Sequence, residues 1–286
     1  MATTVFTNGS VGNREDLEDV ITNIAPKETP FYSSMPKVQI NSTYHEWLTD
    51  TLNTATANKN TENKAWTATT SNARVRTGDY TQIFYKGVEV TYTQEQVNKA
   101  GLTSEKAYQQ NLRLAELARD IEYALINGTG ASGATGTERE LVGVEAWIQT
   151  NETTGTALTE DLLNDNLELI WNEGGQAKDC YCNATLKRVI DSFKLASQRY
   201  VTATTTVNNV VDIYESSFGT IKIILDRYVA SGKVYNMDMS KFAIGVLQRV
   251  QAQEMPIAGL THRSQIFGEL TLISRQEAGS GKITIA

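Results

Sequence analysis

The chain has 286 residues, 40% of them hydrophobic, which is enough for one large core or for two packed together. Its 33 acidic and 26 basic residues leave a net charge of −7. That balance excludes a dedicated nucleic-acid binder or a coat for anionic lipid, both of which need clustered Lys and Arg.

The first dozen residues are polar and without periodicity and read as an extended arm. Asn13 then suits an N-cap, with Glu15 and Asp16 in the first turn, where the helix dipole favours negative charge. Leu17, Val20, Ile21 and Ile24 follow at helical spacing, and Pro26 ends the predicted helix. Thr29 to Met35 reads as an irregular connector with two aromatic anchors, Phe31 and Tyr32. From Val38 to Leu48 the pattern alternates, with Val38, Ile40, Tyr44 and Leu48 on one face and His45 and Trp47 on the other. A second alternating run, Ile83 to Tyr92, puts Phe84, Val88, Val90 and Tyr92 together. Between them, Asp50 to Arg76 is dominated by Thr, Asn and Ala and carries Lys59, Lys64 and a solitary Trp66. The two runs predict a projecting β-hairpin with a long polar tip. Such an element has too little apolar surface to stand alone, and its length marks it as functional or mobile.

Thr103 or Ser104 caps a predicted helix running to about Asn127. Tyr108, Leu112, Leu114, Ala115, Leu117, Ala118, Ile121, Ala124 and Leu125 form its apolar stripe, with Arg113, Glu116, Arg119, Asp120 and Glu122 assigned largely outside it. Asn127-Gly128 is the expected stop, since both residues tolerate a left-handed backbone. A Gly/Ala/Thr/Ser loop, Gly128 to Thr137, leads into a mixed region. Thr159 caps a helix with Leu163, Leu167, Ile170 and Trp171 that ends at Gly174-Gly175. Asp179 to Ala184 reads as a strand, and Leu186, Val189, Ile190, Phe193, Ala196 and Tyr200 mark a further helix. Strands are predicted at Val207 to Ile213, Ile221 to Leu225, Val234 to Met237, Phe242 to Gln248, Ile266 to Ser274 and Lys282 to Ile285. The class is α+β.

The search for chemistry is short. The run Gly128 to Gly136 lacks the Gly-Lys-Ser/Thr ending of a phosphate loop and follows a helix rather than a strand, which favours a surface loop. Cys180 and Cys182 share one face of a strand and have no second Cys or His pair to complete a zinc site, so they read as small buried apolar residues. Two cysteines make no disulfide framework. The only histidines, His45 and His262, read as polar surface or interface residues. Glu15-Asp16 and Glu160-Asp161 sit where helix N-termini want negative charge. No stretch approaches the ~20 apolar residues of a spanning helix, and the N-terminus has neither the basic nor the apolar region of a secretion signal. No active site, cofactor or metal is implied. Pattern alone leaves two readings open: a solitary protein with a mobile loop, or one whose outlying elements meet other molecules.

Asn13-Arg14-Glu15-Asp16-Leu17 through Ile24-Ala25-Pro26-Lys27-Glu28-Thr29-Pro30-Phe31, followed by His45-Glu46-Trp47-Leu48-Thr49-Asp50, resembles the opening of the SU10-like major capsid proteins of tailed phages, which have the HK97 fold. Thr261-His262-Arg263 with Gly268-Glu269-Leu270-Thr271-Leu272 is similar to that family's closing strand, and the helix ending Ala124-Leu125-Ile126-Asn127-Gly128 to its spine helix. The resemblance implies an N-terminal arm over 1–37 and an extended β-hairpin loop over 38–92 that lies on a neighbouring subunit. It implies a peripheral domain from 93–139 and 241–286, containing the spine helix and C-terminal strands, and an axial domain over 140–240. The implied protein is a non-enzymatic coat that assembles with itself into hexamers and pentamers of an icosahedral shell around double-stranded DNA. It would meet that DNA without sequence-specific binding and work with portal, scaffolding and decoration proteins, but no membrane. Assembly in the bacterial host cytoplasm and residence in the virion follow. Trp47, Lys59, Lys64, Trp66, Arg74 and Arg76 are the expected interface residues. Some coats of this fold cross-link a loop lysine to a neighbouring asparagine; no motif around Lys59 or Lys64 fixes such chemistry, and non-covalent stabilisation is expected. The short arm implies that any scaffolding function comes from a separate protein or from a segment outside this sequence. The competing readings are an encapsulin-like cage of the same fold and, from another class, a small-molecule-binding α/β enzyme using the Gly128–Gly136 loop.

Overall fold

The computed structural model describes residues 28–99, 101–193, 213–256 and 259–285. The predicted helix from Asn13 to Pro26, the end of the helix at Ala196 and Tyr200, and most of the strand predicted from Val207 lie outside the described residues.

Two sheets organise the fold. The first runs β1 (Lys37–Gln39), β12 (Phe242–Glu254), β13 (Thr261–Ser274), β4 (Gln82–Thr91), with β1 parallel to β12 and the other neighbours antiparallel. The long helix α3 (Glu105–Asn127) packs against it. The Ser104 hydroxyl accepts from Ala107 N and starts the helix, as the sequence predicts. Its stop has a different cause from the one expected: Gly128 has φ −57°, an ordinary value. Glycine is required there by close approach, because a Cβ would sit 2.5 Å from the Leu141 carbonyl oxygen. Leu117, Ile121, Leu125 and Ile126 from α3 meet Phe84, Ile244, Ile266, Leu270 and Leu272 from the sheet.

The second sheet runs β7 (Glu152–Gly155), β14 (Gly281–Ile285), β11 (Lys233–Met237), β8 (Asp179–Cys182), β10 (Gly219–Leu225), β9 (Ile213–Ser216). Helices α5 (Glu160–Asn172) and α6 (Ala184–Phe193) contribute Leu163, Leu167, Ile170, Leu186 and Ile190 to its core. Strand β8 is buried on both faces. Cys180 and Cys182 point into this second core, while Tyr181 points into the first and stacks edge-on against Phe31, 5.1 Å between centroids. One strand thus joins the two cores. The final strand, β14, expected with the spine helix, belongs to this second sheet instead. Asn166 on α5 explains its seat: its amide donates to the Asn151 and Lys282 carbonyls and accepts from the Asn236 amide at 2.8 Å. Those bonds tie β11 and β14 to the helix.

Three short α-helices are not legible in the sequence. Residues Pro30–Ser34, taken as irregular, form a short helix, α1. Tyr92–Gln96 form α2, capped by the Thr91 hydroxyl, and Val144–Trp147 form α4. The Gly-rich segment is part of a small hairpin, β5 (Thr129–Ala131) with β6 (Glu140–Val142), so the Gly-rich run leads into a strand and not into the helix that a phosphate loop opens.

Candidate assembly interface

The projecting hairpin exists, but its strands differ from those expected. It is β2 (Tyr44–Thr49) paired with β3 (Val75–Tyr80). The flanking runs belong to the body: Lys37–Gln39 pairs with β12, and Gln82–Thr91 pairs with β13. The reason is a pair of breaks that period-2 counting runs straight through. Asn41 to Thr43 leave the strand, and Thr81 separates β3 from β4, with its backbone N–H donating to the Thr43 carbonyl at 2.8 Å. The alternation of Phe84, Val88 and Val90 serves the body of the molecule, not the hairpin.

The two faces of the hairpin have separate tasks. His45, Trp47, Thr77 and Asp79 share one face, as the alternation requires. Trp47 is half-buried, 5.7 Å from the Trp147 ring, and packs beside Ile40, Ala243 and Ile273. Asp79 is 1% exposed and anchors the root. Its carboxylate accepts from Tyr80 N at 2.7 Å, Val142 N at 3.1 Å and Thr271 Oγ1 at 2.8 Å, joining β3, β6 and β13. Burial pushes its pKa up to about 6 against the pull of those hydrogen bonds. Beside it, Arg139 pairs with Glu269 at 2.8 Å, and Glu269 also accepts from the Thr81 hydroxyl. On the other face, Tyr44 and Tyr80 lie 4.5 Å apart and Arg76 pairs with Glu46 at 2.6 Å.

Beyond the ladder the hairpin narrows to polar stitching. Arg74 pairs with Asp50 at 3.3 Å, Asn72 Nδ2 donates to the Thr51 carbonyl at 3.0 Å, and Asn53 Nδ2 donates to the Thr70 carbonyl at 2.8 Å. Every residue from Asp50 to Arg76 is exposed, Lys59 and Lys64 included. Trp66 is 89% exposed and Leu52 97%. Of the six residues predicted at an interface, Trp47 packs within the chain and Arg74 and Arg76 hold the hairpin together. Lys59, Lys64 and Trp66 project from it. Sequence reading missed Asp79, whose only signal is a carboxylate on the same strand face as Trp47. It also missed a second apolar patch on the body. There Ile83 and Tyr85 of the edge strand β4 and Tyr123 of α3 stand exposed around a groove of about 360 Å³ that Asp120 and Glu140 also line.

Among the described residues no group of three His, Cys, Asp or Glu is placed to hold a metal, and no helix is long and apolar enough to cross a membrane. His45 lies 5.9 Å from the Trp47 ring and His262 4.1 Å from the Tyr92 ring, stacking roles for both. Cys180 and Cys182 are buried and free.

A body with two cores and an unsupported projecting hairpin is the shape of a shell subunit, and the sequence matches the SU10 major capsid protein family over residues 2–286. The chain belongs to the SU10 major capsid protein family. It is a tailed-phage coat protein, a structural component of the virion whose working partners are further copies of itself, and its family is not an enzyme family. Solved structures agree on the HK97 fold. The capsid of a native GTA particle is similar at TM-score 0.73 and 10% identity, covering 98% of this chain and 97% of that one. The cyanophage A-1(L) capsid is similar at TM-score 0.71 and 13% identity, covering 95% and 96%. The holo-SrpI encapsulin of Synechococcus elongatus PCC 7942 is similar at TM-score 0.63 and 9% identity, covering 99% and 96%. Fold alone therefore does not separate a phage coat from an encapsulin; the family match does. No curated protein matches the chain.

Proposed function

We propose that this coat protein closes into an icosahedral shell of hexamers and pentamers around double-stranded DNA, with the 44–80 hairpin lying across a neighbouring subunit. The observation that carries the reading is the bare tip from Asp50 to Arg76, where Trp66 and Leu52 bury almost nothing against their own chain. An exposed Trp on a stitched, charge-paired ribbon gains its burial from another surface. Shell subunits hold together by many such contacts closing on themselves, and obligate interfaces often exceed ~2,000 Å².

The first sheet with α3 takes the peripheral role and the second sheet with α5 and α6 the axial one; the expected arm, 1–37, is shortened to the segment preceding α1, because Phe31 and Met35 pack into the first core and Lys37 pairs with β12. The net charge of −7 suits a container, since a wall that gripped phosphates would impede genome packing. DNA is enclosed without sequence-specific contacts, assembly takes place in the bacterial host cytoplasm, and portal, scaffolding and decoration proteins complete the particle. The shell is held non-covalently, Lys59 and Lys64 acting as polar contacts. Deleting residues 55–70 tests the reading. The variant should stay folded as a monomer by circular dichroism and fail to form shells, or form weak ones, by negative-stain microscopy; normal particles would refute the role given to the hairpin.

A further inference from the structure

Strand β12 has an open side. Its parallel partner β1 covers only Ile244 to Val246. Beyond that point β12 runs on to Glu254, and among the described residues only β13, on the other side, pairs with it. An unpaired strand edge invites contact with another chain unless something covers it. Where β1 stops, a groove of about 360 Å³ lies beside the edge. Val246, Val250 and Leu270 give it an apolar lining continuous with the first core, and Tyr32 of α1 forms one wall. Lys37 and Arg249 bring two positive charges to it, and no carboxylate lines it. Lys37 lies 4.0 Å over the Tyr32 ring, and Arg249 is exposed and in no ion pair among the described residues.

We propose that this groove receives residues 13–24 of the same chain, which lie outside the described residues, as an amphipathic helix. The sequence predicts a helix there, with Leu17, Val20, Ile21 and Ile24 along one face. At about 100° per residue, Asp16 and Glu18 fall on opposite flanks of that face. Residues 13–24 carry Glu15, Asp16, Glu18 and Asp19 against Arg14 alone, a net charge of −3. The apolar face lies on Val246, Val250 and Leu270, and the flanking carboxylates meet Lys37 and Arg249. The connection decides which copy supplies the segment. Ile24 stands five residues before Thr29, which opens α1, a reach of at most ~17 Å, and Tyr32 in the groove wall is only one helical turn further. So short a link holds the segment at an effective concentration of about millimolar, far above that of the same segment on a separate copy. Docked in this way, it covers the open side of β12 before the subunit meets any other. The proposal does not depend on the role given to the hairpin.

Cysteine pairing in the full unassembled chain tests the docking. In Val20→Cys with Gln248→Cys, oxidation by diamide should join the segment to the groove within one chain, read as a linked peptide by mass spectrometry of the monomer. The native Cys180 and Cys182 are buried, and each single variant supplies the background. Adding Lys37→Glu and Arg249→Glu should slow the link about fivefold or more, because two exposed ion pairs become two like-charge contacts. Further adding Asp16→Lys and Glu18→Lys should restore it. A terminus that merely collides with the body would link without regard to these charges. If circular dichroism shows that the groove reversal unfolds the chain, Asp16→Lys with Glu18→Lys alone carries the same criterion. The absence of a link, a link between two chains, or a rate indifferent to the reversal overturns the proposal.

Discussion

Replacing Asp79 by Asn isolates the energetics of the hairpin root. The carboxylate is buried among three donors that hold it in place, yet desolvation outweighs them and lifts its pKa from 3.8 to about 6. Between those values the native protein binds the proton more tightly than the unfolded chain does. The stabilisation from the protonated group is thus complete well below pH 3.8 and is lost as pH rises through about 6. A shift of roughly two units at about 1.4 kcal/mol each makes this ~3 kcal/mol. The amide of Asp79→Asn does not titrate and removes that slope. Urea unfolding of the unassembled subunit at pH 4 and pH 7, followed by circular dichroism, measures the difference. The wild type should lose about 2 kcal/mol more than the variant between the two pH values, because pH 4 already lies just above the unfolded value; that is roughly a 1 M change in relative midpoint. Parallel pH dependence in the two proteins would refute the claim that the root carboxyl is desolvated.

Trp66→Ala and Trp47→Ala should separate contacts between subunits from contacts within one. The first should change subunit stability by no more than about 0.5 kcal/mol while lowering the denaturant concentration at which assembled particles dissociate. The second should destabilise the isolated subunit by about 2–3 kcal/mol, because it empties the site against Trp147 and Ile273. Leu125→Ala on the long helix, at a site with 0% exposure, should cost about 3–4 kcal/mol in subunit unfolding without altering the geometry of any particles that form.

Long periodic elements were legible because their patterns are locally complete. The helix from Glu105 to Asn127 follows from its cap and stripe alone, and the shared face of Cys180 and Cys182 follows from strand parity. What escaped depends on distant partners. Nothing near Glu122 in the chain announces the Phe31 and Tyr32 N–H groups that donate to it, so its spacing puts it on the polar side of its helix although it is buried, and Gly128 is explained only by the backbone of Leu141 across a gap of 13 positions. The hairpin strands were shifted because alternation does not reveal a change of sheet, and the turn at Thr81 is fixed by Thr43 rather than by its neighbours. Of the proposed interface residues, the solitary Trp66 in a polar stretch is visible by composition. The intrachain duties of Trp47, Arg74 and Arg76 needed coordinates.

Strand β14 lies between β7 and β11, so β7 reaches the rest of its sheet only across residues 281–285. During translation the hairpin leaves the ribosome some two hundred residues before that strand appears. Its exposed tip is therefore presented on a nascent chain whose second core is still open. Pairings this remote in sequence form slowly, so the second core closes only once residues 281–285 have been made.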